Sequence, residues 1–370
     1  MSDAALQFLI ETVRAAAARA TPLRICGGGT KDFLACRLEG EPLPTAGLTG
    51  IVAYEPSELV VTVRAGTPLA ELEAALAAQG QCLPFEPPRF GPGGTVGGMV
   101  ASGLSGPARA SVGAVRDFVL GLELVNGRGE ALTFGGQVMK NVAGYDVSRL
   151  MAGAWGTLGV ITAVSLKVLP VAPAEATLKF ECDQAEALRR LNHWGGQPLP
   201  LNASCWVEDA GIGTLFLRLR GAVAAVEAAC RTLGGERQDN ARVAADWDAC
   251  RDQRLPWFAS RDPALGLWRL SVPQTAPVLT LPTGVAAPLV EWHGGQRWVQ
   301  AGREHAGALR EAAARVGGHA TLFIADNDHT AWGFDRFEPL NAPLGHLHRR
   351  LKAEFDPAGV FNRGRLYAQL

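Results

Sequence analysis

Gly91-Pro92-Gly93-Gly94-Thr95-Val96-Gly97-Gly98, running on through Met99-Val100 to Ala101-Ser102-Gly103, is the stretch on which the fold turns. Glycines at this density let the backbone aim its N–H groups at an anion, and Thr95 adds a hydroxyl donor. Gly27-Gly28-Gly29-Thr30 has the same chemistry and follows directly on an apolar strand at residues 23–26. Either loop alone reads as a tight turn. Two of them, each beside a strand or a helix start, point to a diphosphate. A dinucleotide-binding Rossmann loop would need a strand, G-x-G-x-x-G and a helix, then an acidic residue about 20 positions on. The first loop has Asp32 where the last glycine belongs, and the second holds Pro92 and follows no clean strand. No P-loop Lys-Ser/Thr is present, so both phosphate motifs are set aside.

Outward from these loops, the first 170 or so residues read as short strands separated by Gly/Pro turns. Strands are expected at 51–54 and 59–64. A helix capped by Thr67, with Pro68 at its first position, follows and ends at Gly80. Residues 119–125 and 130–134 flank Asn126-Gly127-Arg128-Gly129, a hairpin signal. Residues 158–169 read as one long strand. Before all of this, Leu6, Leu9, Ile10, Val13 and Ala17 lie at helical spacing behind the possible caps Ser2 and Asp3. After about residue 172 glycine thins and all but one of the nine tryptophans appear. The order is strand 176–182, helix 184–194, strands 203–208 and 214–220, helix 223–233. It recurs in strands 267–272, 290–293 and 297–301, helix 303–316 and strand 320–324. This reads as a split α/β sheet of ferredoxin-like type, single or doubled. The tail is a helix over 340–355, followed by Phe355-Asp356-Pro357 and Gly359-Val360-Phe361-Asn362-Arg363-Gly364-Arg365.

The ordered motifs G-G-G-T, V-T-V-R-A-G-T-P-L-A-E-L, G-G-T-V-G-G-M-V-A-S-G, V-R-D-F-V-L-G-L-E-L-V-N-G-R-G and G-T-L-G-V-I-T resemble the FAD domain of the vanillyl-alcohol oxidase / PCMH class. The closing F-D-P-A-G-V-F-N-R-G-R-L is similar too, so the likeness spans about residues 20–170 and 340–366. It implies an α+β fold: a PCMH-type FAD-binding domain of two subdomains (1–171), a smaller ferredoxin-like α/β cap (172–335) and a C-terminal segment (336–370) returning to the FAD domain. Within the class, the short middle domain is most similar to the FAD-binding subunits of bacterial glycolate oxidases. The likeness then implies oxidation of glycolate, a 2-hydroxy acid, to glyoxylate by a complex. The partners are a paralogous flavoprotein subunit and an iron–sulfur subunit that receives the electrons. The alternative is a non-catalytic assembly or electron-relay flavoprotein, with the chemistry in the paralogue.

By this resemblance, Gly27, Gly28, Gly29 and Thr30 form the first diphosphate loop, and Gly93, Gly94, Thr95, Gly97 and Gly98 the second. Ala101, Ser102 and Gly103 lie beside the isoalloxazine. Gly113 and Asp117 match the next segment, whose usual aromatic is Val112 here. Gly159, Val160 and Ile161 fall near the adenosine, and Asn362 approaches the flavin from the tail. Lys140-Asn141-Val142-Ala143-Gly144-Tyr145-Asp146 is followed by Gly156-Thr157-Leu158-Gly159-Val160-Ile161-Thr162, which turns a Gly loop into an apolar strand and reads as a loop-to-strand entry or as a backbone edge that contacts a base or a ring system.

Three departures from the class matter. The first loop has no His, and Ser102-Gly103-Leu104 has no Cys, so FAD is expected to be non-covalent. The H-x-G-D-G-N-x-H run of the catalytic members is replaced by Gly318-His319-Ala320-Thr321-Leu322-Phe323-Ile324. The tail's N-P-G proline is Arg363. His319 reads as a surface histidine or as a relic base. Arg363 and Arg365 read as reaching a carboxylate near the flavin or as pairing with local carbonyls or phosphate. Asp326-Asn327-Asp328-His329 reads as a solvated turn, and His346 and His348, two apart on a helix, cannot share a ligand face, so no metal site is expected.

The whole-chain numbers are consistent with this. The chain has 370 residues, 48% hydrophobic and 19% charged, and 35 Lys+Arg against 36 Asp+Glu give a net charge of -1. No basic stripe suggests nucleic acid. No C-x-x-C occurs among the seven cysteines, which read as reduced thiols rather than as a disulfide framework or cluster ligands. No signal peptide or apolar run of ~18 residues is seen, so the expectation is a cytoplasmic protein that reaches the inner membrane, if at all, through its complex. Trp194, Trp206, Trp257, Trp268, Trp292 and Trp298 are candidates either for covering the flavin or a partner face, or for the core.

Overall fold

The structure, a computed structural model, describes residues 3–136, 146–326 and 336–370. Residues 140–145 of the Lys140–Asp146 stretch, Asn327, Asp328, His329 and the cap candidate Ser2 lie outside them. The chain divides into two compact units. The first comprises Met1–Leu104, Ala114–Val171 and Pro339–Leu370; the second comprises Ser105–Gly113 and Ala172–Glu338.

In the first unit Asp3 caps the helix Ala4–Arg19 by accepting from the N–H groups of Ala5 and Leu6. The stripe Leu9, Ile10, Val13 and Ala16 is buried against Leu23, Leu43 and Phe361. Leu23–Cys26 pairs in parallel with Glu41–Pro44. A five-stranded antiparallel sheet runs Ile51–Glu55, Val60–Arg64, Val160–Lys167, Val119–Val125, Ala131–Gly135. Its central strand, Val160–Lys167, is buried at every residue but the last, as a strand covered on both faces requires. The hairpin turn forms where expected, with Asn126 Oδ1 accepting from the N–H groups of Arg128 and Glu130. Thr67 does not cap the next helix. That helix, Leu69–Ala77, starts after Pro68, and the Thr67 hydroxyl instead accepts from Gly50 N–H at 2.9 Å. The long strand expected at 158–169 is Val160–Lys167 followed by the separate short strand Leu169–Pro170.

The tail returns to this unit as a third edge on the small parallel sheet. Leu23 N–H donates to Val360 O, and Asn362 N–H donates to Leu23 O. One buried ammonium fixes the return. Lys352 Nζ, on the helix Ala342–Phe355, donates to Thr157 O, Phe361 O and Asp356 Oδ2 at 2.7, 2.7 and 2.8 Å. The Asp356 carboxylate also accepts from the N–H groups of Val360 and Phe361.

The second unit is one eight-stranded antiparallel sheet, ordered Glu236–Arg237, Ala174–Glu181, Ile212–Gly221, Leu201–Asp209, Leu289–Glu291, Gln296–Ala301, Gly266–Ser271, His319–Ile324. The repeated order seen in the sequence therefore forms two halves of a single sheet, joined where Cys205 pairs with Glu291. Helices Gln184–Gly195 and Val223–Leu233 cover one half of one face, and Ala306–Ala314 covers the other half. Five of the six flagged tryptophans are buried, and Trp257 is half-buried, which favours the core reading. Arg297 is fully buried and donates to the carbonyls of Ala276, Pro277 and Gly294. Burial pulls its pKa to about 10.

Ser105–Gly113 groups with this second unit, not with the 1–171 segment. The Trp292 indole donates to Gly106 O, Arg109 stacks on the Trp292 ring at 4.4 Å, and Ser111 meets His293 Nε2 at 3.0 Å. Trp292, His293 and Gly294 all hold positive φ (54°, 55°, 97°), so the strand expected at 290–293 stops at Glu291. Two short helices over the other sheet face, Asn240–Arg251 and Pro256–Ala259, carry no sequence expectation.

Two predictions follow from burial. Lys352→Met leaves the Asp356 carboxylate buried without its cation, and urea unfolding of the first unit should show a loss of about 3–5 kcal/mol. His293 is buried between the Ser204 and Ser111 hydroxyls, and burial drops its pKa from 6.5 to about 4. The folded state thus binds fewer protons than the unfolded one between those values. Stability is full above pH 6.5 and falls by about 3 kcal/mol on acidification to pH 4. In His293→Asn, whose side chain tolerates positive φ, that share of the acid slope should vanish from denaturation curves measured across this window.

Candidate functional site

The two glycine loops meet in the first unit. A Cβ on Gly28 would lie 1.7 Å from Gly93 O, and one on Gly27 would lie 2.6 Å from Thr95 Oγ1. Only glycine allows this approach. Gly29 turns the first loop at φ 67°. The N–H groups of Gly28, Gly29 and Thr30 donate no hydrogen bond among the described residues, which leaves adjacent donors facing one concavity. Thr95 opens the helix Val96–Ser102, and its hydroxyl accepts from Gly98 N–H.

The cavity they line encloses about 90 Å³ and opens to solvent. Gly27, Gly28, Gly29, Thr30, Thr95, Gly97, Gly98, Ala101, Ser102, Gly159, Ile161 and Asn362 all border it. Gly93, Gly94, Gly103 and Val160 stand behind it. Gly93 O touches the first loop, Gly94 O accepts from Leu69 N–H, and Gly103 abuts Gly153. Val160 points into the core beneath, because neighbours on a strand alternate faces. Four candidates are not brought to the cavity. Gly113 belongs to the second unit. Asp117 is exposed and accepts from Ala114 N–H at 2.8 Å, capping the short helix Val115–Phe118. His319 is exposed on the edge strand of the second unit's sheet. Arg363 donates to the carbonyls of Gly359, Ala358 and Ala20, which makes it a tie within the tail.

Of the rest of the wall, the sequence reading singled out Arg365 and missed Lys31, Asp32 and Trp155. Lys31, Asp32, Trp155 and Arg365 also line the cavity. Arg365 forks onto Asp32 Oδ1 at 3.2 Å and stacks over the Trp155 ring at 5.2 Å. Burial lowers its pKa, and Asp32 partly offsets that. Arg24 reaches the other Asp32 oxygen at 3.7 Å. With Lys31, three cations stand against one carboxylate, a balance suited to an anion. Asn362, at φ 43°, uses both ends of its amide: Oδ1 accepts from Ile25 N–H and Nδ2 donates to Trp155 O. The N-R-G of the tail was the available signal for it. Nothing local could reveal Trp155 or Asp32 as its neighbours.

Comparison with known proteins decides the family. Glycolate oxidase subunit GlcE of Escherichia coli K12 is 45% identical over 98% of this chain and 98% of its own length. The chain belongs to the GlcE family of glycolate oxidase subunits. Residues 6–135 match the FAD binding domain family model. This makes the chain an FAD-binding oxidoreductase-family protein, in accord with the resemblance. Glycolate oxidase subunit GlcD of Bacillus subtilis is 31% identical over 43% of the chain and 33% of its own length, so that likeness is partial. Alkyldihydroxyacetonephosphate synthase shares the fold at a TM-score of 0.63 and 15% identity, over 96% of this chain and 73% of that one. The architecture is thus the PCMH type. Among the described residues, no helix is long and apolar enough to cross a membrane, and no group of three His, Cys, Asp or Glu is placed to hold a metal.

The loop contact yields a direct test. Gly28→Ala forces the loops apart, and FAD retained after gel filtration, read by absorbance, should drop by about tenfold in affinity or more. Folding of the variant is checked by circular dichroism.

Proposed function

We propose that the chain holds FAD non-covalently, with its diphosphate across the Gly27–Thr30 and Gly93–Gly98 loops, and serves as a flavoprotein subunit of a glycolate-oxidising complex. The observation that carries this reading is the set of free N–H groups at Gly28, Gly29 and Thr30, walled by Lys31 and Arg365. Backbone donors neutralise a diphosphate without side-chain bulk. The 90 Å³ enclosed there is less than a whole dinucleotide needs, so it suits the anchoring group, with the rest of the molecule along the open side. Ala101, Ser102 and Asn362 border the flavin end, and Gly159 and Ile161 the adenosine end. The lining contains no His or Cys, which supports non-covalent binding. When bound, the flavin supplies a two-electron acceptor. The chain's residues orient it and balance its charge.

The electrons pass on to an iron–sulfur subunit, and a paralogous flavoprotein subunit of the GlcD kind completes the complex. Association with the inner membrane is by way of that assembly. A second reading, an electron relay or assembly subunit without its own substrate chemistry, draws support from His319. It stands on an edge strand, where partial loss of solvent around the ring and the nearby Arg269 lower its pKa. The Gly-Asp-Gly-Asn run that would accompany a base is not there.

The visible spectrum of the purified chain, before and after anaerobic glycolate, separates these readings. The expected result is a flavin spectrum, with all flavin released into the supernatant by acid precipitation. Bleaching by glycolate assigns oxidation to this chain. An unchanged spectrum that bleaches only when the paralogous subunit is added assigns it the relay role. A colourless chain that takes up no added FAD overturns the proposal.

A further inference from the structure

A second cavity lies wholly within the second unit and shares no lining residue with the first. It encloses about 580 Å³ between the face of the eight-stranded sheet and the helices Asn240–Arg251 and Pro256–Ala259. That volume falls in the range of sites for small organic molecules.

Its walls are aromatic and aliphatic: Trp247, Trp257 and Phe216, with Val207, Val243 and Leu289. They are held in place before any ligand arrives. The Trp247 indole donates to Thr177 Oγ1 at 3.0 Å, and the Arg218 guanidinium stacks on its ring at 4.7 Å. Trp257 is set edge-on to Phe258, and its carbonyl accepts from Gln300. The floor is uncharged. Cys250 donates to Glu291 Oε1 at 3.2 Å. Cys205, burial and Glu291 together hold the Cys250 thiol well above its usual pKa, so it stays protonated.

The charged groups in the lining are all of one sign. Glu208, Asp209 and Asp246 border the cavity, all are exposed, and none is in an ion pair among the described residues. Among the described residues no Lys, Arg or His lines it, and Arg218 lies over the Trp247 ring. Indole and phenyl faces attract a cation, and carboxylates at the rim add to that attraction. An anionic ligand would meet repulsion there, and a neutral one would leave the carboxylates unused.

We propose that this cavity binds a small organic cation, with its apolar or aromatic body between Trp247, Trp257 and Phe216 and its ammonium group against Asp246 and Asp209, which shares the face of Val207 on its strand. Holding such a ligand is a property of the second unit that glycolate oxidation does not require.

Calorimetric titration of the full chain with benzyltrimethylammonium, and with benzyl alcohol and benzenesulfonate as its neutral and anionic counterparts, tests this. The cation should bind one-to-one, about tenfold or more tighter than either counterpart. The double variant Asp209→Asn/Asp246→Asn should lose most of that preference. Val207→Trp, which fills the cavity, should remove binding altogether. Should that core-facing variant misfold by circular dichroism, Ser260→Trp at the exposed mouth is used instead. Absent binding of the cation, equal binding of all three probes, or affinity that survives cavity filling would each overturn the proposal.

Discussion

A single ammonium group holds the first unit together. Lys352 lies buried, and its three hydrogens are taken by Thr157 O, Phe361 O and the Asp356 carboxylate. Such burial is tolerable only when every donor is met and the charge is paired. The return is considerable: the tail is laid beside Leu23–Cys26, which places Asn362 and Arg365 in the wall of the cavity. The Gly27–Thr30 loop continues from that same strand. Its geometry therefore depends on residues more than three hundred positions away, through Ile25 and Asn362.

Glycine loops were the most legible part of the site. What glycine provides, positive φ and close backbone approach, is written at the position itself, as the Gly28–Gly93 contact shows. The hairpin at Asn126–Gly129 and the doubled sheet were readable for a similar reason, since turn residues and period-two strands are local signals. Arg365 on Asp32 and Trp155 was not readable, because three distant segments make it. The helix Asn240–Arg251 escaped for another reason. Its buried stripe is only Val243, Trp247 and Cys250, too narrow to stand out among charges and alanines. Ser105–Gly113 was misplaced because its neighbours Trp292 and His293 belong to a turn that backbone propensity disfavours. For Arg365 and for Ser105–Gly113, a contact made far along the chain outweighed the local preference.

The GlcE family membership and the geometry bear on different questions. Similarity over 98% of the chain with glycolate oxidase subunit GlcE speaks to ancestry. The free N–H groups and the balance of Lys31, Arg24 and Arg365 against Asp32 speak to what the loops can hold. Replacement of the Gly-Asp-Gly-Asn run next to His319, together with the exposure of that histidine, concerns whether oxidation happens here or next door. A fold can keep its cofactor cradle while the reacting groups change, because the cradle is mostly backbone and the reacting groups are side chains.

The tail that closes the cavity also sets a schedule. Ile25 and Asn362 are 337 residues apart, so the amide that joins them is made long after the loop it holds. At roughly 5–20 residues per second, the first loop waits on the order of 20–70 s for its clamp during synthesis. Until then the Gly27–Thr30 loop lacks the two side chains, Asn362 and Arg365, that meet it from the tail. A substitution that unseats residues 360–365 therefore acts on a loop made 337 positions earlier in translation than the amide that clamps it.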